Sequence, residues 1–157
     1  MDSSRSSAES VDGRSLLISA PTSTGKTFCA ELALAGEIVR RRKGVLLVPL
    51  KSIAEEKFRE FEPLYRSLNL RCIIATADHP EHSSALGSGR FDIAICVYEK
   101  FNRAILMNID LLGSIGSLVI DEAQLLGDPQ RGKVLESILL KLAGYRHLGS
   151  SVRRPPV

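Results

Sequence analysis

The chain has 157 residues, enough for one domain around a single core and too few for two well-buried ones. With 44% hydrophobic and 25% charged residues it is neither disordered throughout nor fibrous. A net charge of +3 neither marks nor excludes a nucleic-acid partner, because a local basic patch survives such averaging.

Residues 1–13 hold serines at 3, 4, 6, 7 and 10 without apolar periodicity, and are expected to form a flexible lead-in. From Arg14 onward, short apolar runs alternate with longer helical patterns. Ser15–Ala20, Gly44–Pro49, Cys72–Ala77, Asp92–Val97 and Ser117–Asp121 are the predicted strands. Several are apolar throughout, as strands of a parallel sheet covered on both faces would be.

A helix is predicted over Lys26–Arg42. It would end in Arg40, Arg41, Arg42 and Lys43, cations suited to the negative end of a helix, with Gly44 stopping it. Ala54, Phe58, Phe61, Tyr65 and Leu68 recur at steps of four and three, one apolar stripe along a second helix. Leu135, Ile138, Leu139 and Leu142 repeat the pattern near the end of the chain. The stretch Ala77–Gly89 is expected to be a polar loop. Its His79 and His82 flank Pro80-Glu81, and the absence of cysteines or a second ligand pair argues against zinc there. The domain is expected to occupy 14–146, followed by a disordered tail over 147–157 with two prolines.

Cys29, Cys72 and Cys96 are odd in number and far apart, so neither a disulfide framework nor a zinc spacing is available. No apolar run approaches the ~18 residues of a membrane span, and Leu16–Ala20 is too short for a signal peptide. A reducing cell interior, cytoplasm or nucleus, is the expected setting.

The first predicted strand runs into Ala20-Pro21-Thr22-Ser23-Thr24-Gly25-Lys26-Thr27 and then into a helix, the context that a phosphate-binding loop requires. A loop at a helix N-terminus aims unpaired backbone N–H groups at one point, where the helix dipole also favours anionic oxygens. Gly25 lets the backbone approach closely, Lys26 is expected to reach the β- and γ-phosphates, and the Thr27 hydroxyl to ligate Mg²⁺. Ala20 stands where the motif has its first glycine.

The fifth predicted strand delivers Asp121-Glu122-Ala123-Gln124 at its C-terminal end, the edge where open parallel sheets bind ligands. Adjacent carboxylates leaving an apolar strand repel each other unless a cation or solvent takes them up. Asp121 is expected to hold the metal, directly or through water, and Glu122 to accept a proton from the water attacking the γ-phosphate.

These residues resemble the superfamily-2 DExD/H-box helicases, in the branch of the archaeal repair helicase and the helicase domain of DNA polymerase theta. The resemblance spans about Leu16 to Leu142. Motif I is similar to Ala20–Thr27, with alanine common at its first position, and motif II to Asp121–Gln124. Val48–Phe58 is similar to motif Ia, and Tyr98-Glu99-Lys100-Phe101 to a short element after the fourth strand; Leu125–Gly132 with Leu135-Glu136 completes the match. The resemblance implies a P-loop NTPase of RecA-like α/β fold, a mainly parallel sheet flanked by helices, binding ATP and Mg²⁺. It also implies that motif Ia and the Tyr98–Phe101 element line a track for one strand of DNA or RNA. Lys51 and Lys100 can neutralise phosphates, while Pro49, Ser52 and Thr76 sit where relatives contact the backbone.

Relatives read adenine with a glutamine upstream of motif I, and this chain has none before Gln124. The chain is expected to stop before motif III and without the second RecA-like lobe, which supplies an arginine finger worth ~10³–10⁵ in rate. Lobes must close on ATP and reopen to drive unwinding. The expectation is therefore the ATP-binding lobe of a helicase that, alone, binds Mg·ATP with little turnover. A non-enzymatic nucleotide- or nucleic-acid-binding regulatory module and a non-functional truncated gene product are the alternatives.

Overall fold

In the computed structural model, which describes residues 23–129 and 131–151, four of the five apolar runs are strands. They are β1 (Lys43–Val48), β2 (Cys72–Ala75), β3 (Ile93–Val97) and β4 (Ile115–Ile120). The run Ser15–Ala20 lies outside the described residues. All pairings are parallel, in the order β2-β3-β1-β4, with Val45 opposite both Ala94 and Leu118.

The helices are α1 (Ser23–Val39), α2 (Lys51–Ser67), α3 (Pro80–Gly87), α4 (Tyr98–Met107), the single turn α5 (Leu111–Ser114) and α6 (Arg131–Ser151), with a 3₁₀ turn at Ala123–Gly127. Because successive strand residues point to opposite faces, each apolar strand feeds two cores. Leu46, Val48, Ile74, Ile93 and Ile95 meet Leu34 of α1 and Ala54, Phe61 and Tyr65 of α2. Val45, Leu47, Ile73, Ala94 and Cys96 meet residues of α3, α4 and α6 on the other face. The expected architecture, a parallel sheet between helical layers, is therefore present, and the unbroken apolar character of the strands follows from it.

Three expectations change. The segment 77–89 is not loop throughout, because α3 occupies Pro80–Gly87. Proline at its first position has φ pre-set for a helix, Glu81 suits the positive end of its dipole, and Ala85 and Leu86 are buried. Second, α6 continues to Ser151, into the segment expected as tail; helix propagates cheaply from its packed part until a breaker arrives, and the first proline is Pro155. Residues 152–157 lie outside the described residues.

Third, α1 starts at Ser23 and ends at Val39, and Gly44 does not stop it. Arg41 takes the left-handed conformation at φ 56°, Arg42 donates its N–H to the Glu37 carbonyl and Arg41 donates to that of Ile38. This is a Schellman close, and Asn69 and Gly89 end α2 and α3 in the same way, at φ 61° and 68°. Gly44 serves packing instead. A Cβ there would come within 2.8 Å of both Leu34 Cδ2 and Ile93 Cδ1, so the missing side chain lets α1 lie close on the sheet.

Candidate functional site

Parallel strands send all their C-terminal ends to one edge, and that edge collects the residues singled out in the sequence. Thr76 follows β2, Lys100 lies in the first turn of α4 after β3, Pro49, Lys51 and Ser52 follow β1, and Asp121 and Glu122 follow β4. With strands ~4.8 Å apart, the four ends span roughly 14 Å. Residues 40–42 turn α1 directly back into β1, and α1 packs on both β1 and β4, so α1 runs antiparallel to the strands. Its N-terminal turns, which hold Ser23, Thr24, Gly25, Lys26 and Thr27, therefore reach the edge where Asp121 emerges. Ala20, Pro21 and Thr22 lie outside the described residues.

Asp121 is held from two sides. Its N–H donates to the Leu47 carbonyl at 2.8 Å, extending the β1–β4 ladder by one residue past the strand. Its carbonyl accepts the hydroxyl of Tyr98, a wholly buried side chain at the start of α4. Its carboxylate Oδ1 accepts the N–H of Glu122 at 3.0 Å. Glu122 then breaks the strand, with φ 56° and ψ 41° in the left-handed region, where a residue bearing a Cβ is strained by ~1–3 kcal/mol. Its carboxylate accepts a hydrogen bond from the Gln124 amide.

Both carboxylates are half-buried, and no lysine or arginine pairs with them among the described residues. Two adjacent half-buried acids without a basic partner favour a cation, and an all-oxygen donor set suits Mg²⁺ better than a thiophilic ion.

The residues expected along the nucleic-acid track divide by exposure. Lys51 and Ser52 are exposed at the first turn of α2, and Lys100 is half-buried on α4. Lys51 pairs with Asp78, but a solvent-exposed pair is worth only ~0–1 kcal/mol, so its ammonium can be given up to a phosphate. Pro49 is buried. Thr76 is also fully buried, and its hydroxyl has no hydrogen-bond partner, so it does not present a surface for backbone contact in this arrangement. In the Tyr98–Phe101 element both aromatic rings are core, which leaves Glu99 and Lys100 to face outward.

Tyr98 as the anchor of Asp121, and Gln124 as the partner of Glu122, are roles that residue type and spacing do not reveal. The first links positions 23 residues apart, across two strands. The second depends on the left-handed turn at Glu122 folding the chain back on itself.

A family model described as DEAD/DEAH box helicase matches residues 4–153 of this chain. The chain is similar to the ATP-dependent DNA helicase Hel308 of Pyrococcus abyssi (strain GE5 / Orsay), 39% identical over 135 residues, which is 85% of this chain and 18% of that protein. It is similar to the Hel308 of Pyrobaculum calidifontis at 39% identity over 138 residues, covering 88% of this chain and 18% of the relative. For the Hel308 of Methanocaldococcus jannaschii the identity is 33% over 138 residues, 84% of this chain and 11% of the relative. The chain thus spans less than a fifth of the length of these curated relatives.

Proposed function

The chain belongs to the DEAD/DEAH box helicase family, and from that premise we propose that it is the ATP-binding lobe of a DNA helicase, taking Mg·ATP between residues 20–27 and the acid pair Asp121-Glu122. The reading rests most on one observation: α1 runs antiparallel to the sheet, so the turns holding Lys26 and Thr27 come to the edge from which Asp121 leaves β4.

In this reading the backbone N–H groups of Ala20, Pro21 excepted, through Gly25 cradle the phosphates, aided by the dipole of α1. Lys26 neutralises the β- and γ-phosphates, and Thr27 with Asp121 would hold magnesium. When bound, that ion neutralises charge on the phosphate oxygens. Glu122 takes the proton from the attacking water, and Gln124 orients its carboxylate. The two bonds on the Asp121 backbone keep the metal-binding acid in register with β1.

A single DNA strand would run over the starts of α2 and α4, with Lys51, Ser52 and Lys100 touching phosphates rather than bases. The names of the relatives support DNA over RNA. Pro49 and Thr76 serve as buried supports of that edge in this reading. Unwinding requires a second RecA-like lobe that closes on ATP, so these 157 residues taken by themselves are proposed to bind nucleotide with little turnover. The setting proposed is intracellular, where ATP and DNA are found together.

Titrating a fluorescent ATP analogue with Mg²⁺ into wild type and Lys26→Ala tests the site. A charge-assisted contact worth ~1.5–3 kcal/mol predicts ~10- to 100-fold weaker binding by the variant. Equal affinity would remove the phosphate-loop assignment. Phosphate release by the wild-type chain is expected to be slow, and Glu122→Gln is expected to lower it further without weakening nucleotide binding.

A further inference from the structure

The segment expected as a polar loop brings together metal-binding side chains in a way its sequence spacing conceals. His79 is the last residue before α3, Pro80 opens the helix, and His82 follows one turn later, so both rings and Glu81 converge. One ligand atom from each of His79, Glu81 and His82 lies within 4.8 Å of the other two. His79 Nδ1 and Glu81 Oε1 are already 2.9 Å apart. A tetrahedral zinc-type ion with bonds of ~2.0–2.2 Å spaces its ligands by roughly 3.3–3.6 Å, a difference that small side-chain rotations close.

We propose that His79, Glu81 and His82 bind one divalent transition-metal ion of the zinc class, with water as the fourth ligand. These residues sit beside β2, at the opposite side of the sheet from Asp121 after β4, and the proposal does not rest on the helicase reading.

The second observation is the outer shell. A metal-bound histidine donates its other ring N–H to a carboxylate or a backbone carbonyl, which fixes the tautomer and the ring. Both histidines have such a partner here. His79 places Nε2 2.9 Å from Glu55 Oε1 on α2, which leaves Nδ1 for the ion beside Glu81. His82 Nδ1 lies 3.1 Å from the Ile74 carbonyl oxygen and 3.2 Å from the Ile74 nitrogen; in the tautomer that donates Nδ1–H to the carbonyl, Nε2 keeps its lone pair for the ion. Phe58 packs against both rings, with centroids 6.4 and 6.0 Å away, and the rings lie nearly parallel at 14°. They line an open groove of about 580 Å³, through which an ion and its water can enter.

Two imidazoles and one carboxylate with an open position form a borderline donor set, suited to Zn²⁺ and its first-row neighbours rather than to Mg²⁺ or Ca²⁺. In the linear chain the two histidines have a two-residue gap, a polar setting and neither cysteines nor a second ligand pair, which argues against zinc. The fold changes that balance, because one turn of α3 brings Glu81 alongside and α2 supplies Glu55.

The test is a titration of the metal-free 157-residue chain with Zn²⁺ alone against a chelating dye of micromolar affinity, with excess Mg²⁺ present to occupy the acid pair at Asp121. One zinc per chain is expected, with loss of at least ~100-fold in affinity in His79→Gln and in His82→Gln, and ~10- to 100-fold in Glu55→Ala. His147→Ala should bind like wild type. Co²⁺ in place of Zn²⁺ should give visible absorption that His82→Gln abolishes. Glu81→Ala, at an exposed position, carries the test if a histidine variant fails to fold, and it too should weaken binding. Absence of stoichiometric zinc, or binding that persists in the His79, His82 and Glu81 variants, would overturn the proposal.

Discussion

At the scale of single residues, Asp121 and Glu122 owe their positions to hydrogen bonds from side chains and backbone elsewhere in the fold. Tyr98 buries its whole ring in the core and spends its hydroxyl on the Asp121 carbonyl. Tyr98→Phe keeps the packing and leaves that carbonyl without this donor. A buried acceptor stripped of its partner costs ~1–3 kcal/mol, so urea unfolding should show a loss of that size. Nucleotide affinity of the still-folded variant should fall as well, which a purely structural role would not produce. Close approach matters at Gly116 in the same way as at Gly44. A Cβ on Gly116 would stand 2.7 Å from Arg42 Nε, against the ion pair that Arg42 makes with the buried Glu37 at 3.4 Å.

At the scale of elements, α2 departs from what its composition favours. Pro63 sits inside it, although proline in a helix interior removes one backbone bond and clashes with the preceding turn, at ~3 kcal/mol. The helix nevertheless continues to Ser67, because Phe61 and Tyr65 on either side of the proline are buried against the sheet and touch edge to face with centroids 5.8 Å apart. Burial of such side chains contributes roughly 1.5–3 kcal/mol each, enough to outweigh the break. Pro63 faces solvent, so Pro63→Ala should restore the missing bond without disturbing the core. An increase in stability of ~1–3 kcal/mol is expected by urea denaturation, reduced somewhat by the greater freedom of the unfolded chain.

At the scale of the whole molecule, the two cores flanking the sheet control the thiols. Cys96 lies on a central strand and is completely buried, and burial pushes its pKa well up from the usual thiol value. Cys72 is pushed up to about 12, by burial first and then by the nearby Glu62 carboxylate. Both groups hold their protons more tightly folded than unfolded. The associated stability is therefore complete below the ordinary thiol value of 9.0 and is lost as pH rises toward 12, so thermal unfolding should shift to lower temperature over that interval. At pH 8, iodoacetamide followed by mass spectrometry should leave Cys96 unmodified until the chain unfolds, with Cys72 slow and both reacting freely in denaturant.

Much of this was legible in the linear chain. Strands apolar on both faces imply a sheet covered twice, and every strand that falls among the described residues matches its predicted run to within a few positions. Asp121-Glu122 at a strand end and Gly25-Lys26-Thr27 at the start of a helix are local patterns, which a linear reading can single out. What the chain could not disclose is contact between distant positions. The hydroxyl of Tyr98 on Asp121, the burial of Thr76, and the meeting of Glu55 with His79 each join separate elements, and arise only when helices pack on the sheet. Periodicity reports which face of an element seeks the core. Which side chain meets which depends on register, helix placement and the close approach that small residues such as Gly44 permit.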